Sequence, residues 1–268
     1  MRKVSSLLVF ITSIVLALLL LCTLFFVNGG NKNVPHLPPS ICAAWEKAGA
    51  QSCWIRPRGY LDNSENEPAR GEIPAFRFSE WTPGMIRQLP SPSQSFALEL
   101  GFTNITDSDV KELAGLIQLR ALYLINTRIT DTGLKNLSGL VHLRMLDISS
   151  THVTDAGLAE LAGLLELQTL NLENTRVTDA GLKDLANLAQ LQELYLNFTQ
   201  VTDAGLKDLI NLTQLKYLGL DGTAVTDAGL KKLTNLVQLR ELDLSRTQVT
   251  GAGVTELKKV LPDLHVNY

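Results

Sequence analysis

Residues 167–190 read LQTLNLENTRVTDAGLKDLANLAQ, and closely similar stretches recur before and after them along most of the chain. The leucine that opens this stretch has equivalents every 24 residues, at Leu119, Leu143, Leu167, Leu191, Leu215 and Leu239. Ser95 begins a further, less regular copy. A fixed period of this length is typical of proteins built from repeated structural units that stack on one another. The repetition therefore predicts a solenoid.

Each copy contains two different hydrophobic periods. Leu170 and Leu172 alternate with polar residues, which is the pattern of a strand with one buried face. Leu182, Leu185 and Leu188 then follow at a spacing of three, as on one face of a helix. One unit therefore predicts a short strand followed by a helical segment.

Polar residues and glycine also recur at fixed positions. A Thr-Asp pair precedes the helical segment, at residues 106–107, 130–131, 154–155, 178–179, 202–203 and 226–227. We interpret these aspartates as helix caps rather than calcium ligands, since calcium needs about six to eight oxygens. A second threonine column should bond the backbone of the adjacent coil: Thr103, Thr127, Thr151, Thr175, Thr199, Thr223 and Thr247. A glycine column from Gly133 to Gly253, with Asp109 in its place in the first copy, indicates close approach of successive coils.

The consensus LxxLxLxxTxVTDAGLxxLxxLxx resembles the leucine-rich repeat, in particular that of bacterial proteins with TDAGL repeats. The resemblance covers residues 95–268, divided into seven coils of 24 residues and a terminal strand. It implies an α/β fold, a curved horseshoe with parallel strands on the concave side and helices on the convex side. Leu261 to Val266 place the terminal strand two residues early, with Pro262 ending the preceding helix.

The N-terminus carries a membrane signal. Arg2 and Lys3 precede residues 7–27, an uncharged stretch long enough to cross a bilayer as a helix. We interpret it as a transmembrane signal anchor, with a cleaved signal peptide as the alternative. The cations before it put residues 1–6 in the cytoplasm and the rest of the chain outside. If the segment is cleaved, the protein is secreted.

Residues 28–40 are rich in Pro and Gly and predict a linker, and residues 41–94 differ from both neighbours. This second segment holds all three tryptophans, and we interpret it as a cap over the first coil rather than an aromatic binding site. A helix over residues 41–48 and short strands over 52–56 and 75–78 are expected. The sequence leaves open whether Cys42 and Cys53 form a disulfide in an oxidising compartment.

Candidate binding residues lie where the strands face outward, because these positions differ from coil to coil while the core positions do not. The residue between the strand leucines is Glu99, Tyr123, Asp147, Asn171, Tyr195, Gly219 and Asp243 in turn, and finally His265. Aromatic residues are enriched at protein interfaces, so Tyr195, Phe198 and Tyr217 are the expected anchor. The predicted partner-binding set is Glu99, Tyr123, Asp147, Asn171, Tyr195, Phe198, Tyr217 and Asp243.

Charge and motif content restrict the function. The repeats carry 15 Lys and Arg against 21 Asp and Glu, so nucleic acid and an anionic membrane surface are poor partners. No histidine belongs to a metal or nucleophile motif, and we expect no catalytic residue, metal or cofactor. The leading hypothesis is a membrane-anchored extracytoplasmic recognition or scaffold protein with a protein partner. The alternatives are a substrate-recognition component of a ubiquitin ligase, since VTDAGL is similar to F-box protein repeats, and an inhibitor of an envelope enzyme.

Overall fold

The computed structural model describes residues 37–55 and 73–268. The predicted cytoplasmic residues 1–6, the apolar stretch 7–27 and most of the linker lie outside the described residues. Among the helices of the described parts, none has both the length and the apolar character needed to cross a bilayer.

One ten-stranded sheet runs through the described residues in strict chain order. β1 and β2 are antiparallel, and every later neighbour is parallel. The strands are β1 (Gln51–Ile55), β2 (Ile73–Arg77), β3 (Phe96–Glu99), β4 (Leu119–Tyr123), β5 (Met145–Asp147), β6 (Thr169–Asn171), β7 (Glu193–Tyr195), β8 (Tyr217–Gly219), β9 (Glu241–Asp243) and β10 (His265–Asn267). The stacked parallel strands confirm the predicted solenoid.

Short helical segments form the convex side of the coils, and a further α-helix, α1 (Pro39–Lys47), precedes them in the cap. The α-helices are α1 (Pro39–Lys47), α2 (Asp107–Val110), α3 (Asp131–Lys135), α4 (Asp155–Ala159), α5 (Asp179–Leu182), α6 (Asp227–Leu230) and α7 (Gly251–Val260). Four 3-10 helices accompany them in the described residues, at Ile86–Gln88, Lys111–Gly115, Lys183–Leu185 and Gly205–Leu209. The repeat leucines of strands and helical segments are buried together in one continuous core.

The predicted offset of the terminal strand is wrong. Val266 pairs with Leu242 and Asn267 pairs with Asp243, so the strand keeps the 24-residue period. His265 is therefore the partner of Glu241, and Asn267 follows Asp243 in the column where the sequence had placed His265. Counting the period would have predicted this, whereas matching the strand to Leu264 did not.

The aspartates of the Thr-Asp pairs join neighbouring coils and do not cap their own helices, contrary to the prediction. Asp155 Oδ1 accepts from Thr178 N at 2.8 Å, and its Oδ2 accepts from Thr178 Oγ1 at 2.6 Å. The five equivalent aspartates bond the threonine of the following coil in the same way. The helices are capped by the threonine, as where Thr178 Oγ1 accepts from Ala180 N.

The glycine column leaves room for this aspartate. A Cβ on Gly181 would lie 2.5 Å from Asp155 Oδ1, too close for any real side chain. Coil 1 differs, because Asp109 stands where the later coils have glycine. Thr106 N and Oγ1 donate to Asp109, at 2.9 and 2.6 Å, so Asp109 supplies the acceptor that the preceding coil supplies elsewhere. The predicted close approach of coils is confirmed.

The second threonine column bonds within its own coil, not to the adjacent coil as predicted. Thr175 Oγ1 donates to the carbonyl oxygen of Leu172 at 2.6 Å, and the other members of the column do the same with the residue three positions earlier. The bond stabilises a tight turn after each strand. The residue before each of these threonines has positive φ, as at Asn174 with φ of 53°.

Aromatic side chains fill the end of the core next to coil 1. The buried ring of Trp45 stacks on Phe76 at 4.4 Å and meets Phe96 of β3 edge-on at 5.9 Å. Its Nε1 donates to the carbonyl oxygen of Pro90 at 3.0 Å. Helix α1 and β2 therefore cover leucine side chains of the first coil that would otherwise face water.

The disulfide left open by the sequence is not formed, since both Cys42 and Cys53 are free. Cys42 packs against the main core, whereas Cys53 packs against a small cluster on the outward face of the sheet, with Ala75 and Met145 among its members. The two thiols thus lie on opposite faces of the sheet. Burial raises the pKa of the Cys53 thiol to about 12, so it stays uncharged at neutral pH.

Candidate partner-binding surface

The outward face of β3 to β10, which we call the concave face, presents three columns of side chains. The pairing register aligns the first column as Ala97, Ala121, Met145, Thr169, Glu193, Tyr217, Glu241 and His265. The middle column is Glu99, Tyr123, Asp147, Asn171, Tyr195, Gly219, Asp243 and Asn267. The third, two residues further, is Gly101, Ile125, Ser149, Glu173, Asn197, Asp221 and Ser245.

The predicted binding residues fall at three different places on this surface. Six of the eight occupy the middle column: Glu99, Tyr123, Asp147, Asn171, Tyr195 and Asp243. Tyr217 lies in the first column, and Phe198 lies beyond the third, in the turn after β7. The positions of the residues are thus established, whereas their role in binding stays a prediction.

Two members of the predicted aromatic anchor are in direct contact. The rings of Tyr195 and Tyr217 lie 4.6 Å apart at an angle of 33°. Tyr195 is only 4% exposed, and its hydroxyl donates to Glu193 Oε2 at 3.3 Å. Tyr217 is half-buried. Tyr195 therefore supports Tyr217 and presents little surface of its own.

Phe198 belongs to a different contact. Its backbone has φ of 55°, and its side chain is 40% exposed. The guanidinium of Arg246 lies 4.6 Å from the ring centroid, in a cation–π arrangement, and also forms an ion pair with Asp221. The turns after β7 and β9 thus present a ring and a cation side by side.

Amide side chains connect the carboxylates of neighbouring coils. Asn171 Nδ2 donates to Asp147 Oδ2 at 3.1 Å, and Asn197 Nδ2 donates to Glu173 Oε2 at 3.1 Å. Asn197 Oδ1 accepts from the backbone N of Asp221 at 3.0 Å. Because each amide is held from two sides, the polar part of the concave face is ordered before any partner binds.

The concave face is acidic. From β3 to β10 its three columns contain Glu99, Asp147, Glu173, Glu193, Asp221, Glu241 and Asp243, and neither lysine nor arginine. Burial raises the pKa of Glu99 to about 7, although a hydrogen bond from Gly101 N opposes the shift. Burial also raises the pKa of Asp147 and that of Glu173. A cation placed over these carboxylates would offset part of the free-energy cost of their desolvation.

Sequence reasoning missed several members of this surface, among them Glu193 and Asn197. Both flank Tyr195 at a distance of two residues, so the strand period places them on the same face. The signal was present in the strand alternation, which gave neighbouring positions such as Tyr217 but was not applied to these two residues. Asn197 is the more important omission, since it joins Glu173 to Asp221.

The comparisons with known proteins agree with this architecture. The chain belongs to the leucine-rich repeat region family, whose model matches residues 104–266. Internalin C2 from Listeria monocytogenes is 28% identical over 69% of this chain and 73% of its own, with a TM-score of 0.51. The internalin inlF from the same species is 24% identical over 65% of this chain, with a TM-score of 0.49, and the chain covers 53% of its length, about half. No curated protein matches the sequence.

Proposed function

We propose that the chain is a membrane-anchored extracytoplasmic recognition or scaffold protein, without catalytic activity of its own, that binds a protein partner on its concave face. The observation that carries the proposal is the contrast between core and surface of the repeats. The core leucines are the same in successive coils, whereas the middle column changes from Tyr195 to Gly219 to Asp243. A surface with different residues in each row is suited to recognise one partner.

The composition of the surface favours a cationic protein segment. The three columns contain seven carboxylates and no lysine or arginine, although Arg246 of the adjacent turn pairs with Asp221. Tyr217 and Phe198 add aromatic area beside these carboxylates. Strands about 4.8 Å apart spread these eight rows over roughly 35 Å, the size of a protein epitope. Electrostatic attraction would then raise the association rate and make binding sensitive to salt.

The membrane location is inferred from residues 1–27. Their uncharged stretch has the length of a spanning helix, and Arg2 and Lys3 lie before it. Retention of the segment gives a membrane-anchored protein, and cleavage gives a secreted one. Protease protection of a C-terminal tag in intact cells would distinguish an extracytoplasmic repeat domain from a cytoplasmic one.

A crosslinking pull-down from host envelopes, read by mass spectrometry, tests the function. The full chain is compared with a Tyr217→Ala/Phe198→Ala variant. Loss of two interface anchors should lower the capture of a true partner by about 30-fold or more. Tyr195 is left intact, because it is buried.

The matched control is Val260→Ala, which removes an exposed apolar side chain from helix α7, away from the concave face. A protein captured by the wild type and the control but not by the double variant would support the proposal. Equal capture by all three would refute binding through this part of the concave face.

A further inference from the structure

An aliphatic ridge runs along one edge of the solenoid, at the turn that leads into each strand. We define the ridge by six equivalent positions, Ile117, Val141, Leu165, Ala189, Thr213 and Val237. The four large side chains, Ile117, Val141, Leu165 and Val237, are 48–60% exposed. Ile117, Val141 and Leu165 protrude from three successive coils and Val237 from a coil further along, on the edge opposite to the Thr-Asp pairs. Exposed apolar rows of this kind mark binding sites for proteins or membranes.

Cationic side chains border the ridge where the strands begin. Arg120, Arg144, Lys216 and Arg240 occupy equivalent positions three residues after the ridge residue. Arg120 Nη1 donates to the carbonyl oxygens of Ile117 and Leu119, at 3.5 and 3.4 Å, which keeps this guanidinium beside the ridge. In coil 3 the ridge is flanked by Glu166, but its carboxylate is already bonded to His142 and Arg144.

The charges of the repeats are segregated. The turns that form this edge, residues 116–120 and the equivalent five residues of the next five coils, carry four Lys and Arg against one Glu. The remaining repeat residues are strongly acidic, through the concave carboxylates and the aspartates of the Thr-Asp pairs. The average charge, which argued against an anionic membrane surface, therefore hides one edge with a net positive charge.

We propose that this edge docks on an anionic lipid surface. The aliphatic side chains would enter the boundary between headgroups and acyl chains, and the cations beside them would contact lipid phosphates. A second copy fits less well, because two such edges would bring their cationic rows together.

Docking would fix the orientation of the concave face. With this edge against the bilayer, the sheet stands upright on the membrane and its acidic face remains open to the side. The inference rests on the membrane location in the proposed function, since it requires the repeats to lie beside a bilayer. It is independent of which partner binds the concave face.

The test measures how close the edge lies to lipid in the full chain. The native cysteines are replaced by alanine, and bimane is attached through Val141→Cys on the ridge or, as matched control, through Thr132→Cys at an exposed site of the same coil on the opposite edge. The chain is reconstituted with phosphatidylcholine vesicles or with vesicles that also contain phosphatidylglycerol, both with a nitroxide near the headgroup.

We expect quenching at position 141 only with phosphatidylglycerol, and much less quenching at position 132. In Arg120→Gln/Lys216→Gln the ratio of docked to undocked chain should fall about 30-fold, at about fivefold per charge. High salt should have the same effect. Equal quenching at both positions, equal quenching in both vesicles, or none at position 141 would overturn the proposal.

Flotation of the same samples separates this inference from the proposed membrane anchor. A chain held by residues 7–27 floats with the neutral vesicles and with the anionic ones. Failure to float with neutral vesicles would refute the anchor, whereas the quenching at position 141 in anionic vesicles would still report docking of the edge.

Discussion

Removal of one inter-coil aspartate should weaken the stack at a single interface. Asp155→Ala deletes two hydrogen bonds to Thr178 and leaves its backbone N–H without the carboxylate acceptor. Hydrogen bonds to charged groups contribute about 1.5–3 kcal/mol each, and this pair is half-buried, so we expect a loss of about 2–4 kcal/mol in the free energy of unfolding. Urea unfolding followed by far-UV circular dichroism measures it.

A second substitution tests whether the glycine opposite makes room for this carboxylate. Gly181→Ala places a methyl group 2.5 Å from Asp155 Oδ1 and 3.0 Å from Leu158 Cδ1. Overpacking of this kind costs about 1–3 kcal/mol, partly offset by the better helix propensity of alanine. In the Asp155→Ala background the carboxylate is absent, so the same substitution should cost less.

The four chains of this double-mutant cycle give a coupling energy, which we expect to be about 1–2 kcal/mol in favour of the double variant. Asp184→Ala is the matched control, because it removes a carboxylate from the next convex segment without an inter-coil hydrogen bond. The reasoning fails if Asp155→Ala unfolds at the same urea concentration as this control. It also fails if the two substitutions are additive, since the glycine would then be present for another reason.

Three further predictions concern stability. Burial raises the pKa of Glu99 from 4.5 to about 7, so the folded chain binds this proton more tightly than the unfolded chain does. The free energy of unfolding should therefore fall by up to about 3 kcal/mol as pH rises from about 4.5 to 7. When the urea midpoint is plotted against pH, Glu99→Gln should flatten this part of the curve. Trp45→Ala should cost about 3–5 kcal/mol by opening a cavity between Phe76 and Phe96, whereas a similar loss in Trp45→Phe would contradict cavity formation as the cause. Asn126→Val should lower the free energy of unfolding by about 1–2 kcal/mol, because a β-branched residue is disfavoured at φ of 53°. Asn126→Gly should leave it nearly unchanged, and thermal unfolding measures both.

The sequence predicts the coil boundaries well because the leucine period is repeated many times. Every strand from Leu119 onward follows from it, and even β10 would have followed had the period been counted to Asn267. The three columns of the concave face are equally predictable, since they depend only on strand alternation and register.

The roles of the polar columns could not be predicted from local rules. The helix-cap rule assigned Asp155 to the helix that follows it, but its partner is Thr178, which lies 23 residues further along the chain. Their proximity follows only from the stacking of coils. Conversely, the sequence predicted that Thr175 bonds a neighbouring coil, but it bonds its own turn. The positive φ of Asn174 brings the Thr175 hydroxyl to the carbonyl oxygen of Leu172.

The aspartate–threonine bonds also explain why a chain like this can change its number of coils. Each internal coil offers an aspartate on one side and a threonine on the other, so any two internal coils make the same junction. A gene duplication or deletion of 24 codons would therefore preserve this bond at the new junction. Only the ends are individual, with Asp109 at the first coil and Gly251 in place of the aspartate at the last. The number of rows on the concave face can thus change while the aspartate–threonine junction between coils stays the same.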